Sequence, residues 1–446
     1  MSRIRSLTEG TPWKLILSMS LPTAAGYIFN QLYSVVDSVI VGRALGVNAL
    51  AAVGATASIN DLFCCIVIGT TVSAGVPAGQ YYGKGSEKET AQSIANSIYL
   101  NLVSAVFLMI ISIPFAEQWL TLFKTPASIL HDAAVYMRLY LSGLIFMTLY
   151  FMANGILRAF GDSRSPLKFI IVSSISNIIL DLLFVFGFHW GVFGAGLATT
   201  ASMGIACTFN LCYSFTNNRY FKLALKEHAV NTSMLKDCAK IGFSLGFQAA
   251  LICLSSSILQ MVINTYGEIT IAAFTVTMRL ENIIRQPVMA WANSLTAFVS
   301  QNIGAGKPER VKQAVRNTFI CGIGYTLIAI AIFALFGKYL VSFFVTDPDV
   351  ISLGSRGMVT ESLFVFGLAV SQCLANVLTG AGDTAFPVIS GIVEIISRTS
   401  LCFLLTSIEA IGVIGIWITT GMTWCIVSLY SYLRYKQDKW IDSSFV

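Results

Sequence analysis

Apolar residues in this chain fall in long blocks separated by short polar or glycine-rich stretches. Ile241 to Gly267 and Ala410 to Leu433 contain no charged side chain at all. Blocks of this length, wound as helices, cross the roughly 30 Å of bilayer hydrocarbon, which takes about 20 residues. Strict alternation of apolar and polar positions is missing, which excludes an outer-membrane barrel. The pattern predicts twelve helical spans near 15–41, 48–78, 94–115, 130–157, 166–188, 192–216, 239–265, 270–300, 316–338, 352–380, 386–407 and 411–433. The first apolar run has full span length and no small-residue cleavage site behind a short core, so it is expected to remain a span.

The polar punctuation repeats. Gly161-Asp162 and Pro166 recur as Gly382-Asp383 and Pro387, an offset of 382 − 161 = 221. Gln80, Gly83 and Gly85 recur as Gln301, Gly304 and Gly306, and Gly191-Val192 with Gly194 as Gly412-Val413 with Gly415. The expected fold is therefore all-α and integral to the membrane: twelve helices in two six-helix bundles. An even number of spans per copy relates the bundles by a pseudo-twofold along the membrane normal. Residues 1–216 form the first bundle, 217–237 a cytosolic linker, and 238–446 the second bundle with a short cytosolic tail.

Composition agrees with lipid as the solvent. The chain has 446 residues, 55% hydrophobic and 11% charged, against about 25% charged in soluble domains. With both ends placed in the cytosol, 20 of the 28 Lys and Arg fall on inside segments, as the positive-inside rule requires. Arg43, Lys124, Lys338 and Arg356 fall at or near the outer side. This topology accounts for the net charge of +6 without nucleic acid. The ten Cys are scattered, with no metal-ligand spacing, so no metal beyond Na+ and no cofactor is expected. Nor does any nucleophile or metal motif suggest an enzyme.

Ionisable groups inside a bilayer are costly and mark function or pairing. Asp37 lies in span 1 with Asn30 and Tyr33 on the same helix face; Asp181 lies in span 5 one turn beyond Asn177. Asn154 in span 4 and Thr199 in span 6 sit at comparable depth. The repeat supplies an internal control. Asn30, Tyr33 and Asp37 become Leu251, Leu254 and Ile258; Asn154, Asn177 and Asp181 become Ala375, Arg398 and Cys402; only Thr199 keeps its identity, as Thr420. A constellation confined to one copy is not required by the shared scaffold. Its carboxylate, amide and hydroxyl oxygens suit Na+ or H+. Pro22, whose counterpart is Phe243, removes one helix hydrogen bond and is expected to act as a kink or hinge below Asp37. In the second copy Glu281 with Arg285, and Glu394 with Arg398, are spaced i, i+4. They read either as charge neutralised along one helix or as a cavity wall that meets substrate charge. Glu361, near the outer end of span 10, is expected to face water. The two Gly-Asp turns, present in both copies, read as helix caps.

These residues together resemble the multidrug and toxic compound extrusion (MATE) family, over nearly the whole chain. The resemblance rests on Pro22…Gln31-Leu32-Tyr33…Asp37, the paired Gly-Asp turns, Asn177…Asp181 with Thr199, and Gln301-Asn302-x-Gly-Ala. It implies a V-shaped pair of bundles exporting amphipathic organic cations by Na+ or H+ antiport, with alternating access. It also implies cation-site roles for Asp37, Asn177, Asp181 and Thr199, supported by Tyr33, Asn154 and Asn30. The region around Gln248 lacks the span-7 acid of some branches. The expected setting is the cytoplasmic (inner) membrane, with both termini cytosolic and the protein monomeric. The alternative is a flippase for a lipid-linked precursor on a related scaffold, with Arg279, Arg285 and Arg398 meeting the pyrophosphate.

Overall fold

A computed structural model describes residues 5–227 and 229–446; the side chains of eleven residues in the first two spans, Asp37 among them, lie outside the described set. Among the described residues every regular element is helical. One helical run, Pro12–Lys84, leaves helical dihedrals only at Gly46 (φ 83°, ψ −175°). That glycine divides it into α1 (12–45) and α2 (Asn48–Lys84). Then come α3 (Glu87–Ser112), α4 (Ala116–Leu122), α5 (Ala127–Ser142), α6 (Leu144–Ala159), α7 (Arg164–Asp181) and α8 (Gly191–Asn217). A short α9 (Arg219–Ala224) precedes α10 (Thr232–Asn264), α11 (Glu268–Gly304) and α12 (Pro308–Ser342). The chain finishes with α13 (Pro348–Ser362), α14 (Val365–Ala381), α15 (Ala385–Thr406) and α16 (Gly415–Lys436).

Among the described residues eight helices are long and apolar enough to cross a membrane, or ten when each bent pair counts as one span. The bent pairs are α5 with α6 (41°) and α13 with α14 (51°). They match the expected fourth and tenth spans, and their breaks, at Gly143 and Phe364, lie 364 − 143 = 221 residues apart. The first and eighth expected spans are α1 and α11, continuous helices with a heavier polar load. Pro22 produces no break in helical dihedrals: the helix runs through it. The break falls at Gly46 instead, because that backbone conformation is essentially closed to any residue with a Cβ. Its repeat partner Gly267 holds nearly the same angles (φ 82°, ψ 178°) at the start of α11.

The chain forms two compact units. Unit 1 comprises Met1–Leu7, Leu21–Gly246 and Phe445–Val446. Helix α3 is turned inside out relative to a helix of a soluble protein. On α3, Asn96, Ser97 and Asn101 are fully buried while Phe107 and Ile110 are more than 60% exposed, because lipid, not water, solvates the outer face. The core packs Phe63, Met137, Leu141 and Leu144 from α2, α5 and α6. The start of α10 belongs to this unit: Cys238 Sγ meets Ser97 Oγ at 3.7 Å, and Gly246 lies so close to Gly69 that a Cβ on Gly69 would meet its nitrogen at 2.7 Å. Asn96 fastens the linker by accepting from Asn231 N–H at 2.9 Å and donating to Ala229 O at 3.3 Å. Phe445 docks on the first Gln-x-x-Gly turn, its N–H 2.9 Å from Gln80 Oε1.

Unit 2 comprises Thr8–Ser20 and Phe247–Ser444. Lys307 and Arg310, in the second copy of that turn, hold Thr8 O and Gly10 O at 3.2 and 2.9 Å. The fully buried Trp417 anchors the core, donating to Thr277 Oγ1 at 3.0 Å against Phe274. In these units residues 8–20 group with the second bundle, and 217–246 and 445–446 with the first. The Gly-Asp turns are helix caps in both copies: Asp162 accepts from Arg164 N and Ser165 N, and Asp383 from Ala385 N and Phe386 N. Gly161 (φ 79°) and Gly382 (φ 100°) reverse the chain ahead of them.

Candidate functional site

In unit 1 the polar residues of α1, α7 and α8 meet at Asn177. Its position one turn before Asp181 on α7 puts both side chains on the inner face, where Asn177 and Asp181 are 1% and 0% exposed. The amide has one orientation in which every neighbour pairs donor with acceptor. In it the nitrogen donates to Asp181 Oδ2 (2.7 Å) and Tyr33 Oη (2.6 Å), and the oxygen accepts from Thr199 N–H (3.1 Å). Asn177 is therefore a hub that fixes Asp181 and ties three helices together. Past Asp181 the helix widens into a π-helical turn, Leu182–Gly187, a distortion frequent at functional sites.

The other expected members separate. Asn154 on α6 is buried but belongs to a different network: its Oδ1 accepts from Asn210 Nδ2 at 3.0 Å, and Asn210 also donates to Tyr150 O. Asn30 is exposed on α1. Thr199 takes part through its backbone N–H, while its hydroxyl donates to Ala195 O in its own helix. Asp37 continues α1, but its side chain lies outside the described residues.

Unit 2 holds a second polar cluster of different chemistry. Arg398 Nη2 meets Glu394 Oε1 at 2.6 Å, and Arg285 Nη1 meets Glu281 Oε1 at 3.4 Å. Arg398 also reaches Ser256 Oγ at 3.5 Å. Glu361, expected to face water, is only 4% exposed. It lies in the last turn of α13, just ahead of the bend, and its carboxyl meets Glu281 beside the Arg285 and Arg398 guanidiniums. Glu361 Oε1 and Arg398 Nε have no hydrogen-bond partner among the described residues. The i, i+4 spacing revealed the two pairs; nothing local in the sequence revealed that Glu361 joins them. The 221 offset did contain a signal, since Arg398 occupies the place of Asn177 and Glu361 that of Tyr140. Arg285 stands for Cys64, which lies 3.1 Å from Tyr140 Oη in unit 1. Both copies thus carry polar side chains at the same positions, amide and hydroxyl in one and ionic in the other.

The MatE family model matches residues 22–183 and 245–404. A probable multidrug resistance protein, YpnP of Bacillus subtilis (strain 168), is 27% identical over 436 residues, covering 97% of each chain. A FAD transporter of Shewanella oneidensis (strain MR-1) is 26% identical over 345 residues, 76% of this chain and 75% of its own. Among solved structures, a MATE crystal structure in the bent conformation superposes with a TM-score of 0.90 at 21% identity. It covers 99% of this chain and 98% of its own, a likeness of fold.

Proposed function

The chain belongs to the MatE family of transporters and is a multi-pass membrane protein, not an enzyme, and from that premise we propose that it is a secondary active multidrug exporter. In this reading it carries amphipathic organic cations outward against an inward Na+ or H+ gradient. It does so as a monomer in the cytoplasmic membrane with both termini in the cytosol. The buried hub of Asn177 and Asp181 carries the proposal. A carboxylate held by an amide, beside a phenol, supplies the hard oxygen donors that Na+ or a proton uses. A charge buried this deeply is costly in lipid unless a cation or proton offsets it. Occupying the site therefore changes the charge that α1, α7 and α8 share, and α1 answers through Tyr33 and, in this mechanism, through Asp37 and Pro22.

The cluster in unit 2 supplies the substrate's charge preference. Three carboxyls face two guanidiniums, and two of the carboxyls, Glu361 and Glu281, touch, so they share a proton while the cluster is empty. An organic cation takes that proton's place and meets the unused Glu361 oxygen. One charge moving through 100 mV corresponds to about 2.3 kcal/mol, so one or two ions per cycle support substantial accumulation against the drug gradient.

The test is dye efflux from proteoliposomes under an imposed Na+ or pH gradient, with wild type, Asp37→Asn and Asp181→Asn. Efflux driven by one gradient and lost in either variant is expected. Intact efflux in both well-folded variants overturns the coupling mechanism. FAD, named for one relative, is tested beside the dyes; movement of FAD alone would overturn the cationic substrate class.

A further inference from the structure

We propose that a groove between α12 and α13 binds the phosphate-bearing headgroup of an anionic phospholipid. The groove has a volume of about 660 Å³, and both Lys338 and Arg356 line it. Each is exposed, and neither forms an ion pair among the described residues. Of the acids nearest in sequence, Asp347 caps α13, Asp349 lies in its first turn and Glu361 is buried near its end; none of the three lines the groove.

The depth suits a headgroup. Helix α12 starts at Pro308 amid Lys307, Arg310 and Lys312, and Lys338 follows 338 − 308 = 30 residues later, about 45 Å along the helix. The groove therefore opens at the membrane face opposite that basic cluster, which is the outer face in the topology proposed above. Leu335, one turn before Lys338 and also lining the groove, is apolar and 69% exposed.

The repeat shows that the fold does not require these cations. Lys338 and Val359 correspond to Glu117 and Arg138 of the first copy, which close on each other at 2.9 Å. Arg356 corresponds to Val135. The same place is thus internally neutral in unit 1 and doubly positive in unit 2. Outer cations run against the positive-inside bias, and two of the four in this chain share one groove. A phosphodiester with apolar tails complements it in charge and in surface.

The full-length protein, purified in detergent and exposed to equal phosphatidylglycerol and phosphatidylcholine, is read for retained lipid by native mass spectrometry. Wild type should retain phosphatidylglycerol preferentially. Lys338→Gln and Arg356→Gln should each weaken that retention about fivefold, as expected for one cation near a charged surface. The Lys338→Arg/Arg356→Lys double variant should keep it, and Arg138→Gln, in the first copy, should not alter it. Equal retention of the neutral lipid, or undiminished preference in Lys338→Gln/Arg356→Gln, overturns the proposal. So does displacement of phosphatidylglycerol by equimolar glycerol phosphate, which would make the ligand a soluble phosphoester.

Discussion

Asn177→Ala is the substitution that most directly interrogates the hub. It removes three contacts at once: to Asp181 Oδ2, Tyr33 Oη and Thr199 N–H. In soluble proteins a bond to a charged group is worth about 1.5–3 kcal/mol and a neutral one about 0.5–1.5. In a bilayer the unfolded reference finds other partners, and measured side-chain bonds between helices average about 0.6 and reach about 1.7 kcal/mol. Three such bonds give a loss of about 2–5 kcal/mol. The assay is unfolding of the purified protein by titrated denaturing detergent, run beside ion-driven efflux. Asn154→Ala is the control: it is as deeply buried but bonded to Asn210. Both variants should lose stability, and only Asn177→Ala should uncouple efflux from the gradient, because only it releases Asp181. Unfolding of Asn177→Ala at the wild-type detergent concentration, with coupled efflux retained, would refute the hub. Equal uncoupling by Asn154→Ala would refute the separation of the two networks.

Two further outcomes follow from the second unit. Arg398→Met leaves Glu394, only 13% exposed, without its cation, and should cost about 3–5 kcal/mol in the same titration; Glu394→Gln/Arg398→Met should recover most of it, and a double-mutant cycle that shows no coupling would deny the pair. Gly357→Ala would drive a Cβ into the Trp417 ring, an overpacking of about 1–3 kcal/mol; Trp417→Leu in the same chain should relieve it, and an unchanged unfolding midpoint in the single variant would contradict this packing.

Much of the scaffold was legible because it is written in long-range regularities. Span-length apolar blocks and the 221-residue offset suffice for twelve helices, and that offset also relates the bends at Gly143 and Phe364. The hub was legible from one-turn spacing: Asn177 and Asp181 had to share a face. What escaped is set by helix rotation and bending, which a linear pattern does not encode. Asn154 lay at the right depth but turns toward Asn210, and Asn30 turns outward. Glu361 looked like an end residue because its distance from the loop was visible while the 51° bend behind it was not. Pro22 drew attention as the helix breaker, yet a lost hydrogen bond can be absorbed within helical dihedrals, whereas the conformation of Gly46 cannot.

Those glycine joints bear on how the protein can be handled. At Gly46 a single residue turns one membrane helix into the next, and at Gly267 the same conformation opens α11 directly. The joint at Gly46 has no slack: an inserted epitope or cleavage sequence would pull on both helices that it links. Tags and labels belong instead in the connection between Ser342 and Pro348, where the chain runs free of helix for several residues.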